Sequence, residues 1–324
     1  MTASIHPPSS GVAAPDDAPI STSAPDGTPA PSSAEGLFAT HRSLLFTVAY
    51  EMLGSAADAE DVVQEAWLRW ADIGEAGRAE VREPRIYLVR IVTRQALNRL
   101  RTLARRKEDY VGEWLPEPLL TSPDVSEDIE LAESVSIAML TVLETLTPAE
   151  RVVFVLREVF DMPYEEIAPM LDKTAAAVRQ IAHRAREHVA ARRPRMQVDR
   201  AEQQAVLERF QTAVHSGDLQ SLLDVLAPDV VLVADGGGVV AAALLPVVGG
   251  ARVAGALTRF SKIVPDAQVS TVWINGAPAL RVDIAGAFDT AISVVVEGGR
   301  ISRIYAMRNP HKMGRLTQQV ALSR

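Results

Sequence analysis

The 324-residue chain contains no cysteine, which excludes disulfide staples, thiolate zinc sites and thiol redox sensing, and fits a reducing cytoplasm. No metal or cofactor is expected. It also lacks an apolar run long enough to span a bilayer, so no membrane association is expected. The longest weakly charged stretch, residues 236–251, carries Pro246 and several glycines and is expected to be a buried strand and turn. The first residues have no basic segment leading into an apolar one, so no secretion signal is expected. Residues 1–34 lack Lys and Arg altogether and are dominated by Pro, Ser, Ala, Gly and Asp. Such a segment buries too little to offset its ordering entropy and is expected to be a disordered tail. An excess of positive charge is missing too: the formal net charge is -8 and the pI near 5.4. That excludes a protein that coats DNA nonspecifically, so DNA contact has to come from locally basic surfaces. What is present is 48% hydrophobic content, enough for two or three domains with real cores.

Residues 146–189 carry the densest signal. Val178, Ile181, Ala182, Ala185 and Val189 recur at offsets of three and four, the stripe of a core-packed helix. Arg179, His183 and Arg186 fall on a separate polar face. Thr174 is placed to cap the start of that helix, with Asp172 and Lys173 in the turn before it. The pattern is that of a DNA-binding helix-turn-helix whose second helix enters a major groove. Arg179 and Gln180 are candidates for base edges. Arg184, Arg186, Arg192, Arg193 and Arg195 suit phosphates, which supply affinity and salt dependence but no sequence information. Pro163 suits helix initiation, whereas Pro169 removes the backbone bond to the Glu165 carbonyl and should kink the first helix of the motif.

Upstream, Ser55 precedes a helix that places Ala59, Val62, Val63, Ala66, Trp67 and Trp70 on one face and Asp61, Gln64, Glu65 and Leu68 on another. After Pro84, Leu88, Val92, Ala96, Leu100 and Leu103 point inward. Arg90, Arg94, Asn98, Arg101 and Arg105 form a basic stripe about four turns long. Residues 109–132, with Trp114, Pro116, Pro118 and Pro123, are proline-rich and polar, a tether between helical modules at 35–108 and 133–195. From 198 to 324 the character is α+β. Two helices are followed by β-branched runs at 230–233, 271–274, 279–284, 290–296 and 301–307, with turn signals at Asn275-Gly276 and Gly298-Gly299 that suit an antiparallel sheet.

The segment 43–70, SLLFTVAYEMLGSAADAEDVVQEAWLRW, resembles region 2 of bacterial sigma factors of the extracytoplasmic-function group, and the helix-turn-helix resembles their region 4. Order, spacing and linker match over 35–195. The resemblance implies a factor that directs core RNA polymerase to promoters and initiates transcription. It assigns Asp58, Asp61, Gln64, Glu65 and Leu68 to the clamp helices of the β′ subunit, and adds the β flap as a further contact. It also implies that residues 85–107 melt and read the downstream (-10) promoter element and that Thr174, Arg179, Gln180, His183, Arg184 and Arg186 belong to the helix reading the upstream (-35) element. Arg90, Arg94, Asn98, Arg101 and Arg105 would then hold the backbone while a base is splayed out. Tyr87 is the aromatic available for stacking in that stretch, so a dependence on good promoters is expected.

The C-terminal third resembles the SnoaL-like branch of the cone fold that includes nuclear transport factor 2 and ketosteroid isomerase. Three motifs carry the likeness. They are WLPEP, beginning with Trp114, Leu115 and Pro116; DGGG, formed by Asp235, Gly236, Gly237 and Gly238; and NPHKM, with Asn309, Pro310 and Lys312. His311 stands where the family has an acid. The resemblance implies regulation in cis by contacts between this domain and the linker. The chain is thus expected to be multidomain and cytoplasmic: all-α region 2 and region 4 modules followed by an α+β cone domain. Its expected partners are core polymerase and promoter DNA, with a small-molecule ligand of the cone as a further possibility. Alternatives remain. A helix-turn-helix repressor leaves residues 43–107 unexplained. An enzyme or sensor would use the cone pocket, with Asp235, Asp283 and Asp289 as available carboxylates. Asp235 in its glycine-rich turn is read as a turn cap, and His215 as a cation at a helix end.

Overall fold

The computed structural model describes residues 33–192, 200–316 and 318–324; the expected tail up to residue 32, together with Arg193 and Arg195, lies outside them. Helix α1 (Ala34–Leu53) starts within the expected tail boundary, because the Ser33 hydroxyl accepts from Gly36 N at 2.9 Å and caps it. It stops at Gly54, whose left-handed φ of 66° closes the last turn. Helix α2 (Ala56–Asp72) follows the Ser55 cap, a short α3 (Gly74–Glu80) comes next, and α4 (Pro84–Glu108) has proline in its first turn, where no N–H is missed. The inward positions read from the sequence are all buried: Ala59, Val62, Val63, Ala66 and Trp70 on α2, and Leu88, Val92, Ala96, Leu100 and Leu103 on α4. Trp67 is half-buried.

Helices α5 (Ile129–Ser134), α6 (Ile137–Leu143) and α7 (Pro148–Phe154) come next. Thr147 and Glu150 form a reciprocal capping box at the start of α7, which runs on into a π turn over Val155–Val159. Helix α8 (Tyr164–Ile167) passes into a 3-10 turn at Ala168–Met170. The break falls where Pro169 removes a donor, as expected of it. Helix α9 (Ala175–Arg192) buries Val178, Ile181, Ala182, Ala185 and Val189. The helices do not form two separate bundles. Leu45, Val62 and Val92 share a continuous core with Val152, Leu156, Ile167 and Val178.

The C-terminal unit places α10 (Arg200–Ser216), α11 (Leu219–Val225) and α12 (Gly250–Ile263) with a six-stranded sheet of order β2-β1-β6-β5-β4-β3. The strands are β1 (Leu226–Asp235), β2 (Val247–Val248), β3 (Gln268–Ile274), β4 (Ala277–Ile284), β5 (Ala287–Glu297) and β6 (Arg300–Met307), followed by α13 (Pro310–Met313). Asn275-Gly276 and Gly298-Gly299 form their hairpin turns with positive φ at both residues. Two expectations need correcting. The sheet is not wholly antiparallel, because β1 pairs in parallel with β6; the long excursion between them lets the chain return in the same direction, and local turn signals do not encode that pairing. Residues 236–251 are not a buried strand. Apart from the two-residue β2 and the start of α12 they form a loop, with Val239, Leu244 and Leu245 58%, 61% and 75% exposed. The glycines and Pro246 that end regular structure prevent this run from entering the core.

Candidate nucleic-acid and protein interfaces

The second helix of the helix-turn-helix is built as its sequence demands. Thr174 Oγ1 accepts from Ala177 N at 3.2 Å, and Arg179, Gln180, His183, Arg184 and Arg186 lie exposed beyond it. Carboxylates of the same module face these cations. Glu165 receives Arg179 at 2.6 Å, Glu158 receives Arg186 at 3.0 Å, Glu150 lies 3.8 Å from Arg184, and Glu187 lies 3.5 Å from His183. The Tyr164 ring lies 5.6 Å from the Arg179 guanidinium, and its hydroxyl accepts from Arg186 at 3.4 Å. The exposed pairs of Arg179 and His183 are individually weak, so DNA phosphates can displace them.

On α4, Arg90, Arg94, Asn98, Arg101 and Arg105 are exposed as expected. The stripe is not wholly open to solvent, however. Arg94 donates to the Pro169 carbonyl at 3.1 Å and approaches Asp172 at 3.8 Å, so the helix-turn-helix turn sits against it. Tyr87 packs on Trp70 at 5.9 Å, with Arg90 6.0 Å from its centroid.

The α2 face divides. Gln64, Glu65, Asp61 and Leu68 are exposed, Leu68 at 54%. Asp58 is buried instead, and its carboxylate meets Arg99 Nε of α4 at 2.8 Å. It therefore ties α2 to α4. Arg99 also reaches Asp61, and Gln95 donates to Glu65 at 2.5 Å. Helical spacing placed Asp58 near that surface, but the cation on α4 draws it inward.

Proline content marks the linker as a tether, while the resemblance implies that it contacts the cone domain. Leu115, Pro116, Glu117, Pro118 and Leu119 are buried, and their polar groups are met by residues remote in sequence. Asp235, fully buried, accepts from Tyr110 Oη at 2.5 Å, Leu115 N at 2.9 Å and Lys312 Nζ at 2.7 Å, as well as from Gly237 N at 3.1 Å. It caps its own turn as expected and also holds the linker. Lys312 donates again to the Leu115 carbonyl at 2.6 Å and sits 3.4 Å from the Trp114 ring centroid. Burial pulls the Lys312 ammonium below the usual lysine range, with Asp235 opposing the shift. Asn309 donates to Tyr110 Oη at 2.7 Å and packs so closely that a Cβ on Gly237 would lie 2.4 Å from its Nδ2. Pro310 opens α13. The charge of the terminal motif thus acts through Lys312, while His311 is exposed.

Three contributors escaped the sequence reading. Glu117 Oε2 accepts from Ala56 N at 2.8 Å and Ala57 N at 3.2 Å, capping α2 from the linker. Asn275 accepts from Leu119 N at 2.8 Å and donates to Tyr50 Oη and the Val135 carbonyl, both at 2.7 Å. Tyr110 reaches Asp235. The turn signal at Asn275 was visible, but the reach of its side chain was not. The carboxylates open to an enzymatic reading are engaged: Asp283 by Arg281 at 2.7 Å, Asp289 by Arg308 at 2.9 Å and Asp235 as above. Among the described residues no helix is long and apolar enough to cross a membrane.

With this geometry in place, residues 37–106 match the family model for Sigma-70 region 2 and residues 136–189 that for Sigma-70, region 4. The chain is 40% identical over 205 residues to the ECF RNA polymerase sigma factor SigJ of Mycobacterium tuberculosis, an alignment covering 62% of this chain and 64% of that relative. It is 31% identical over 283 residues to the probable ECF RNA polymerase sigma factor SigI of the same organism, covering 86% and 94%. The crystal structure of the Mycobacterium tuberculosis extracytoplasmic function sigma factor SigJ matches with a TM-score of 0.70 at 31% identity, over 87% of this chain and 98% of that one.

Proposed function

The chain belongs to the extracytoplasmic-function family of RNA polymerase sigma factors, and from that premise we propose a cytoplasmic initiation factor whose described state is closed. In this reading the exposed α2 face of Asp61, Gln64, Glu65 and Leu68 engages the β′ clamp helices. The stripe on α4 handles the -10 element, and α9 reads the -35 element. The groove of Met139, Leu143, Phe154 and Val189, rimmed by Glu130, Glu133, Glu158, Arg186 and Arg324, suits the β flap. The observation that carries closure is the contact of Arg94 with Pro169 and Asp172. Two surfaces assigned to separate promoter elements touch one another, so they must part before both hold DNA. The cone domain restrains that parting through Asp235 and Lys312.

Start-site-specific transcription with core polymerase tests the reading. RNA from the full chain, and loss of core co-purification in an Asp61→Arg, Glu65→Arg double variant that remains folded, are the expected results. Silence on a promoter library together with unchanged co-purification would overturn it. Arg179→Ala should cost about 1–3 kcal/mol at one promoter position and leave the others intact. A small-molecule role for the cone is the weaker reading, because Phe210, Leu222, Val253 and Ile304 fill its interior.

A further inference from the structure

We propose that three charged residues, Lys107, Glu144 and Arg151, form the lock that holds region 2 and region 4 together, with Trp114 coupling it to the cone domain. The inference rests on the closed reading above. Glu144 follows α6 and Arg151 lies on α7, both in region 4, whereas Lys107 ends α4 of region 2. The Glu144 carboxylate receives Lys107 through one oxygen and Arg151 NH1 through the other, the latter at 2.9 Å. Arg151, with a side chain only 2% exposed, spends its Nε–H on the Glu51 carbonyl of α1 at 3.0 Å. Glu51 in turn accepts from Ser134 of α5 at 2.7 Å. The trio therefore crosses the module boundary twice, from Lys107 to Glu144 and from Arg151 to Glu51.

Two further observations bind the cluster to its place. Gly54, between α1 and α2, has no room for a side chain: a Cβ would lie 2.6 Å from Glu144 Oε1, at a φ of +66°. The second is Trp114, whose ring centroid lies 5.1 Å from Lys107 Nζ and 3.4 Å from Lys312 Nζ. One aromatic ring thus lies near two ammonium groups, one belonging to the lock and one to the cone. Each attracts the ring while repelling the other. Freeing Lys312 from Asp235 changes the balance on Lys107, which gives the cone a physical route to the boundary between the modules.

Charge arithmetic separates the members. With Glu144 ionised the trio carries one net positive charge; without it, the buried Arg151 faces the half-buried Lys107 with no anion between them, which is costlier than the intact cluster. Removing Lys107 leaves a neutral Glu144–Arg151 pair. Glu144→Gln should therefore open the modules most, Lys107→Met least, and the double variant should lie closer to closed than Glu144→Gln alone. That order is the reverse of additive damage.

The absence of native cysteine allows the test on the full chain, with donor and acceptor dyes at Asp72→Cys and Ala190→Cys and closure read by energy transfer. The labelled parent should be closed and should open on adding core polymerase and promoter DNA. Glu144→Gln should raise the open-to-closed ratio at least about tenfold, equivalent to 1.4 kcal/mol, with the double variant recovering part of the closed state. Trp114→Leu should open the parent but have little further effect in Glu144→Gln. A parent that is already open would sink the closed reading itself. A closed parent with Glu144→Gln equally closed would overturn the lock alone, as would a double variant more open than either single one. Should Glu144→Gln fail to fold, Lys107→Met compared with Trp114→Leu decides by the same readout: a closed Trp114→Leu chain removes the coupling.

Discussion

The linker and the exposed face of α9 both carry polar side chains, and they use them in opposite ways. Along the linker the partners are buried and specific: Asp235 has four donors, and the Leu115 carbonyl and the Glu117 carboxylate are satisfied by Lys312 and the start of α2. Along α9 the cations are exposed and their partners are carboxylates one or two turns away or on the neighbouring helix. In the first case removing one partner leaves a charge or donor without water to replace it. In the second, solvent or phosphate takes the vacated position at little cost. The difference separates contacts that fix the linker against the cone domain from contacts on the surface of α9 that exchange readily.

The largest effect is expected at Lys312. Lys312→Met leaves the fully buried Asp235 carboxylate without its cation and should cost about 3–5 kcal/mol, read as a lower unfolding midpoint and as protease cleavage within residues 110–120. An unchanged midpoint would mean that the remaining donors suffice.

Glu51 offers the next largest effect and a test by pH. Burial pushes its carboxyl up to about 8 from an ordinary 4.5, against the favourable pull of the Ser134 hydroxyl from α5 and the Arg151 guanidinium from α7. Tyr50 is its titratable neighbour on α1. The folded chain therefore holds a proton that the unfolded chain has released. The contribution to stability is fully present below 4.5 and declines as pH rises toward 8. Glu51→Gln should flatten that decline and raise the midpoint at pH 8 by about 2–4 °C or more relative to the parent. Parallel melting curves from pH 5 to 9 for the two proteins would argue against it.

Glu117→Ala should cost about 1 kcal/mol, the usual loss on removing a helix cap, with exchange of the Ala56 and Ala57 amides accelerating more than that of α4. At the exchangeable end, Glu165→Gln should change stability by no more than about 0.5 kcal/mol. It should nevertheless tighten promoter binding, because Arg179 no longer has to leave a carboxylate. A stability loss as large as that at Lys312 would erase the contrast between the two regions.

Period and cap were legible in the chain wherever they were local. The buried faces of α4 and α9, the Thr174 cap, the break at Pro169 and the Asn275-Gly276 turn all follow from spacings of four residues or fewer. The burial of Asp58 was not legible, because it depends on Arg99, forty-one residues later. The burial of the linker was hidden by the same kind of distance, since a proline-rich segment reads as a tether until remote partners are known for its backbone. The exposed apolar loop after Asp235 shows the converse, hydrophobic composition without the periodicity that would have assigned it a face. The three motifs marked where cone and linker meet, with Lys312 among them, but the spacing within them did not reveal that its ammonium meets Asp235.

The parallel pairing of β1 with β6 also sets an order in time. The first strand of the cone domain pairs with the last, so the sheet cannot close until Met307 has been made, and Lys312 cannot meet Asp235 before then. At about 5–20 residues per second of synthesis, the 120 residues from Arg192 to Lys312 take about 6–24 s. During that interval both sigma modules have been synthesised on a chain whose cone domain is still incomplete.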